Sequence, residues 1–313
     1  MSVLPVEPAW RLAERAEEQR WLVAGLWSEQ AVGIVGGEPK CCKSFLALDL
    51  AVAVASGTPC LRRFPVPRPG RVLLFAAEDA LHIVRQRLEG IASAAGIALA
   101  DLDIQVITAP TIRLDLDADR RNLAETVARL QPRLLILDPF VRLHRIDENA
   151  SGEVAPLLAY LRELQRRHGV AVLVVYHARK GGGVRAGQAL RGSSEFHAWG
   201  DSNLYLRRDG EALSLSVEHR AAASISPMTI ELAQRGDALA LEVVDRRETT
   251  APVTASLDDR IIAALADADQ SLPFADLRAQ CRIRTATLRE RIGELCANGR
   301  IAKIDGGYRV TGR

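Results

Sequence analysis

No stretch of this chain is apolar for the ~20 residues needed to cross a bilayer. The opening MSVLPVEPAWRLAERAEEQR mixes acidic and basic residues around no hydrophobic signal core. No membrane span and no secretory leader are expected. Neither charge is in surplus: 41 Lys and Arg against 39 Asp and Glu leave a formal net charge of +2. Any contact with nucleic acid must therefore come from local patches. Five cysteines are an odd number, and two are adjacent inside a loop, which argues against a disulfide framework and for the reducing cytoplasm. Repeats and low-complexity tracts are missing too. The last lack is one residue: from Gly37 to Ser44 the chain reads GEPKCCKS, so Cys42 replaces the second glycine of the pattern G-x-x-x-x-G-K-[ST].

With 313 residues, 48% of them hydrophobic, there is material for one large core and a small second domain. Three segments are expected: an arm over residues 1–25, an α/β domain over 26–250, and a linker with a small domain over 251–313. In the arm, Trp10 to Leu22 carries apolar residues at helical spacing. The middle segment alternates strand-like runs (Ala31–Val35, Val72–Ala76, Ile104–Thr108, Leu134–Leu137, Val170–Val175, Ser202–Leu206) with helical stretches. Continuous apolar strands such as RLLILD and VAVLVVY belong to a parallel sheet buried on both faces. Ala212–Val217 and Leu239–Val244 alternate more and read as antiparallel edge strands. After the linker TTAPVTAS come helices at Leu257–Asp267, Pro273–Gln280 (Phe274, Leu277 and Ala279 inward) and Thr285–Ala297, then two strands around Asp305-Gly306-Gly307. That order is a winged helix.

The context of GEPKCCKS fits a phosphate-binding loop, because AVGIV is a strand and FLALDLAVAVA a helix without a breaker. Loop amides and the helix N-terminus converge on a polyphosphate. The candidate nucleotide-binding residues are Gly37, Glu38, Pro39, Lys40, Cys41, Cys42, Lys43, Ser44 and Phe45. Lys43 would neutralise the β- and γ-phosphates, and the Ser44 hydroxyl would ligate Mg²⁺. A side chain at position 42 must take a conformation that suits glycine, at a cost of about 1–2 kcal/mol. Two thiols at a helix N-terminus beside two lysines are also expected to have lowered pKa values, so oxidation of Cys41 and Cys42 is a second reading beside simple tolerance.

Asp138 ends the strand RLLILD, placed to hold Mg²⁺; before Pro139 an Asp could also be a mere helix cap. Glu78, after RVLLFAA, could polarise an attacking water, or it or Asp79 could cap the helix starting near Leu81. His177 follows VAVLVVY on the edge where open α/β sheets bind ligands, a candidate γ-phosphate sensor. Lys180–Glu195 is Gly-rich and basic, with Arg179, Lys180, Arg185 and Arg191 in or beside it and no aromatic before Phe196. It would offer a nucleic acid backbone contacts only.

These residues resemble the RecA-like ATPases, within the AAA-family ATPases, and most closely the RepA-type hexameric replicative helicases of plasmids and phages. The resemblance spans about residues 20–245 and is carried by WLVAGLW…GIVGGEPKCCKS, LLFAAEDA, LLILDPFVRLHRIDENASGEV, VLVVYHARKGGG and LRGSSEFHAWGDSNLYLRR. It implies ATP and Mg²⁺ as cofactors, Glu78 as catalytic base, Asp138 on Mg²⁺ and His177 as sensor. It also implies a homo-oligomeric ring, a hexamer, with ATP between subunits and the Lys180–Glu195 loop facing single-stranded DNA in the channel. A neighbour would supply an arginine finger, Arg191 first and Arg220 second. The expected function is an ATP-hydrolysing DNA motor; the alternative is a nucleotide-switched adaptor that assembles on DNA or a partner without unwinding. In the winged helix Arg282, Arg284 and Arg289 are placed for duplex DNA, although many winged helices instead dock proteins.

Overall fold

The computed structural model describes residues 4–12, 20–177, 194–209, 212–223, 225–236, 238–244, 257–266, 268, 271–281, 285–304 and 306–311. It forms two units, residues 1–245 and 246–313.

The larger unit opens with an antiparallel hairpin, β1 (Trp21–Val23) and β2 (Trp27–Ser28). Then strands and helices alternate: β3 (Val32–Gly37), α1 (Lys43–Ser56), β4 (Val72–Ala76), α2 (Leu81–Ala94), β5 (Ile104–Val106), α3 (Asp117–Leu130), β6 (Leu134–Asp138), α4 (Ser151–His168), β7 (Ala171–His177), α5 (Ser194–Trp199) and β8 (Ser202–Asp209). An antiparallel run follows: β9 (Ala212–His219), β10 (Ile225–Arg235) and β11 (Ala238–Val243). One sheet takes the order β11-β10-β9-β8-β3-β7-β6-β4-β5. Its strands from β8 to β5 are mutually parallel and its β9–β11 edge is antiparallel. The expected α/β class, with a mostly parallel central sheet, is what forms.

Alternation within the apolar runs builds two cores. Leu74, Ile136, Leu173 and Val175 join α1 and α2 on one face. Leu73, Phe75, Leu135, Leu137, Val172 and Val174 join α3 and α4 on the other. Helix α1 is apolar nearly all round, as a helix enclosed by core must be. Its one buried acid, Asp49, accepts from the Leu61 amide (2.7 Å) and the Arg62 guanidinium (2.6 Å), which ties the helix to the following loop.

Expectations need correction in both units. The helix over Trp10–Leu22 does not reach its end: Ala9–Arg11 is a 3-10 turn and Trp21 and Leu22 lie in β1. Burial of Leu22 and Val23 against the core outweighs the helical spacing; residues 13–19 lie outside the described set. Strand β10 lies outside the expected strands; Pro227 sits where its register with β9 shifts, the place a strand tolerates proline.

The smaller unit comprises α6 (Leu257–Ala266), β12 (Leu272–Pro273), α7 (Phe274–Cys281), α8 (Thr285–Ala297), β13 (Ile301–Ile304) and β14 (Gly307–Val310), with a sheet in the order β12-β14-β13. Its core is Ile261, Leu265, Leu277, Cys281, Leu288, Ile292, Leu295 and Ile301. Ala279, expected inward, is exposed, and Cys281 takes the inward place one turn after Leu277. Pro273 belongs to β12, so α7 starts one residue later than expected.

Candidate nucleotide site

Strand β3 ends on Gly36-Gly37, wedged between β7 and β8, with Gly37 in register with His177 on one side and Leu206 on the other. A Cβ on Gly37 would lie 2.3 Å from the Leu206 carbonyl oxygen, at φ +155°, so only glycine fits. The loop then turns through Lys40 (φ 64°) and Cys42 (φ 63°, ψ 26°), both left-handed. Cys42 takes the conformation anticipated for the missing glycine, and its carbonyl accepts the Leu46 amide (3.0 Å) to start α1.

The reading of the thiols is overturned. Burial pushes the pKa of both Cys41 and Cys42 up, against the opposing pull of Lys43 on Cys41 and of Arg208 on Cys42. Cys41 is fully buried, and its Sγ donates to the Glu38 carbonyl (2.8 Å). A helix N-terminus lowers a thiol pKa only where water can reach the thiolate; here desolvation prevails.

Lys43 is also buried, and its Nζ donates to the Glu38 carbonyl at 2.7 Å. Burial lowers its pKa, opposed by Cys41, Asp138 and Glu78. Asp138 closes β6 and is 9% exposed. Burial raises its pKa to about 6; the Ser44 hydroxyl, which donates to it, pulls the other way, and Asp79 and Glu78 add to the rise. The alternative of Asp138 as a helix cap is not realised, since the turn that follows has no side-chain cap.

Glu78 lies two residues beyond β4 on the rim; its Oε1 accepts from Arg142 Nε (3.0 Å), and its Oε2 is 3.8 Å from His177 Nε2. Neither Glu78 nor Asp79 caps α2, whose N-cap is Ala80 with no side-chain bond. Asp79 instead pairs with Arg87, whose guanidinium stands over the Phe45 ring (5.2 Å). His177 ends β7; burial chiefly, then Lys43, lowers its pKa, against Glu78. This favours the neutral imidazole.

In the sheet order β3-β7-β6-β4, four neighbouring strands deliver Lys43 and Ser44, His177, Asp138 and Glu78 to one carboxyl edge. Among the described residues no three His, Cys, Asp or Glu side chains form a closed metal site. The donor set still fits Mg²⁺, which binds through one or two oxygen ligands plus phosphate and water. Asp138 beside the Ser44 hydroxyl supplies those ligands, and its raised pKa marks a carboxylate that burial deprives of solvent, with Asp79 and Glu78 adding to the rise. This gives a prediction with a definite sign. An Asp whose folded pKa is raised lets stability fall as pH climbs from about 4 through about 6. Asp138→Asn is therefore expected to raise the unfolding free energy by about 1–3 kcal/mol at pH 7.5, with the gain vanishing near pH 4. Urea denaturation at the two pH values checks it, and a loss of stability at pH 7.5 contradicts it.

Arg220 lies at the other edge. It follows β9, in which His219 pairs with Ser202 at the start of β8, whereas Gly37 pairs with Leu206. Four residues of strand, about 13 Å, plus the lateral step separate it from the loop of its own chain. Its guanidinium bonds to the Ala198 and Trp199 carbonyls and Asp201, beside a cavity of 440 Å³ that His197, Asn203, Glu218 and His219 also line. Arg179, Lys180, Arg185, Arg191, Arg282 and Arg284 lie outside the described residues. Arg289 is exposed on α8, 5.8 Å over the Phe274 ring. Arg208, which sequence reasoning missed, reaches the loop from β8 and donates to the Lys40 carbonyl (3.4 Å). Nothing local announces it, since it depends on β8 pairing with β3.

A loop bounded by an obligatory glycine between a parallel strand and a helix, faced by carboxylates from two further strand ends, has the layout of a P-loop on a RecA-like sheet. The chain belongs to the AAA domain family, whose sequence profile matches residues 2–183. Among solved structures, that of a DnaB-like replicative helicase and its interactions with primase matches with a TM-score of 0.53 at 12% identity, over 68% of this chain and 57% of that one. At that identity the likeness is one of fold, and the chain spans little more than half the length of the helicase chain. No described helix is long and apolar enough to cross a membrane.

Proposed function

We propose that the chain is an ATP-binding and ATP-hydrolysing ring protein that acts on DNA, a replicative-helicase-like motor of a plasmid, phage or mobile element. The observation that carries this reading is the convergence of Lys43, Ser44, Asp138, Glu78 and His177 on one sheet edge. Lys43 leaves the Glu38 carbonyl for the β- and γ-phosphates. Ser44 and Asp138 hold Mg²⁺, which supplies positive charge at the phosphate oxygens. Glu78 orients and polarises the attacking water for in-line displacement, and neutral His177 senses the γ-phosphate from beside the loop. An arginine of the next subunit, Arg191 or Arg220, completes the site in a hexamer. The position of Arg220, away from the site of its own chain, favours a role across an interface.

Arg179, Lys180 and Arg185 contact single-stranded DNA in the channel through phosphates. The smaller unit acts as a winged helix, in which Arg289, with Arg282 and Arg284, meets duplex DNA. Native mass measurement with a non-hydrolysed ATP analogue and single-stranded DNA tests the reading: it expects a DNA-bound hexamer that dissociates as salt rises, and a monomer without DNA at low salt contradicts it.

The left-handed Cys42 favours attention to the adaptor alternative, a nucleotide switch with little turnover. On the motor reading, Cys42→Gly relieves the strained residue and the crowding against phosphate. It is expected to tighten ATP binding about tenfold, the equivalent of about 1.4 kcal/mol. Calorimetric titration with ATP checks this, and an unchanged affinity would show the cysteine to be harmless.

A further inference from the structure

Glu78 is oriented by a neighbour that no sequence signal singles out. After Asp138 and Pro139 the chain makes a 3-10 turn, Phe140–Arg142. Phe140 and Leu143, on either side of the rim, are fully buried. The Phe140 ring meets Phe196 edge-on (4.9 Å between centroids) and tilts on His144 (4.5 Å), while the Leu143 carbonyl accepts the Leu114 amide (2.6 Å). These anchors fix the backbone of Arg142, whose Nε donates to Glu78 Oε1 at 3.0 Å and leaves Oε2 toward His177. The remaining flank opens on a cavity of 510 Å³ that Glu78, Arg142, Pro110 and Thr111 help to line. Arg142 holds the first of the two carboxylate oxygens there. The pair is 61% and 41% exposed, so it adds little to stability. An exposed pair built on buried anchors secures an orientation and not a fold.

Resting on the reading of Glu78 as base, we infer that Arg142 is a positioning residue: it holds one carboxylate oxygen so that the other faces the attacking water. The test measures steady-state turnover with single-stranded DNA and thermal unfolding of full-length variants. Arg142→Ala is expected to lower kcat ~10- to 100-fold, with KM for ATP and Tm unchanged. Arg142→Lys, which can still reach one oxygen, should recover part of that loss. In a Glu78→Asp background, where the shorter side chain forfeits the contact, Arg142→Ala should change kcat less than about threefold. Wild-type or faster turnover in Arg142→Ala overturns the inference, as does a fall in Tm matching the lost activity, or a full additive loss beside Glu78→Asp. Glu78→Gln separates the two claims. If it keeps turnover, the reading of the base fails; if it is inactive while Arg142→Ala is normal, only the positioning role fails.

Discussion

Glu78→Gln is expected to lower ATP turnover by about 10²- to 10⁴-fold, the usual contribution of a positioned general base, while ATP still binds with wild-type affinity. The amide is near-isosteric and keeps an oxygen for Arg142, but it loses the negative charge and the capacity to take up a proton. Glu78 touches neither Ser44 nor the loop amides in any contact described above, so nucleotide and Mg²⁺ keep their holders. Single-turnover hydrolysis and nucleotide titration on the same preparation separate the two effects. A variant that turns over normally removes Glu78 from the mechanism. A variant that no longer binds ATP moves Glu78 from the chemistry to the binding of nucleotide.

Arg220→Ala is expected to cost about 10³-fold in turnover, the scale of an arginine finger, also without loss of ATP binding. Its geometry makes the effect testable in trans. Arg220 sits on the edge of the sheet remote from Gly37, and its guanidinium is half-exposed and rests on carbonyls near Trp199. A mixture of Arg220→Ala and Glu78→Gln subunits then contains interfaces where intact Glu78 meets intact Arg220, and turnover should return. No recovery on mixing would mean that Arg220 acts inside its own subunit. Full turnover in Arg220→Ala alone would pass the finger to Arg191.

The legibility of this chain followed the range of the interactions. The loop and helix at Gly37–Ser56 could be read because a strand, a turn pattern and a breaker-free helix are adjacent in sequence. Asp138 and His177 could be placed on the correct edge because each ends a continuous apolar strand. The left-handed turn at Cys42 followed from the chemistry of the missing glycine. What escaped depends on long-range pairing. Arg208 reaches the loop only because β8 pairs with β3, some 170 residues earlier in the chain. Arg142 reaches Glu78 only because β6 and β4 are neighbours in the sheet. The start of the β1–β2 hairpin was hidden by a helical spacing at Trp10–Leu22 that burial overrode. The thiol prediction failed for a related reason: local charge suggested acidic cysteines, and burial, which sequence does not display, reversed the sign.

ATP turnover by the full-length protein, with and without single-stranded DNA, tests the central claim most directly. A DNA-loaded motor predicts turnover that rises severalfold when DNA is added, and that is lost in Glu78→Gln. Turnover that ignores DNA, or ATP-driven assembly with no turnover at all, would contradict it.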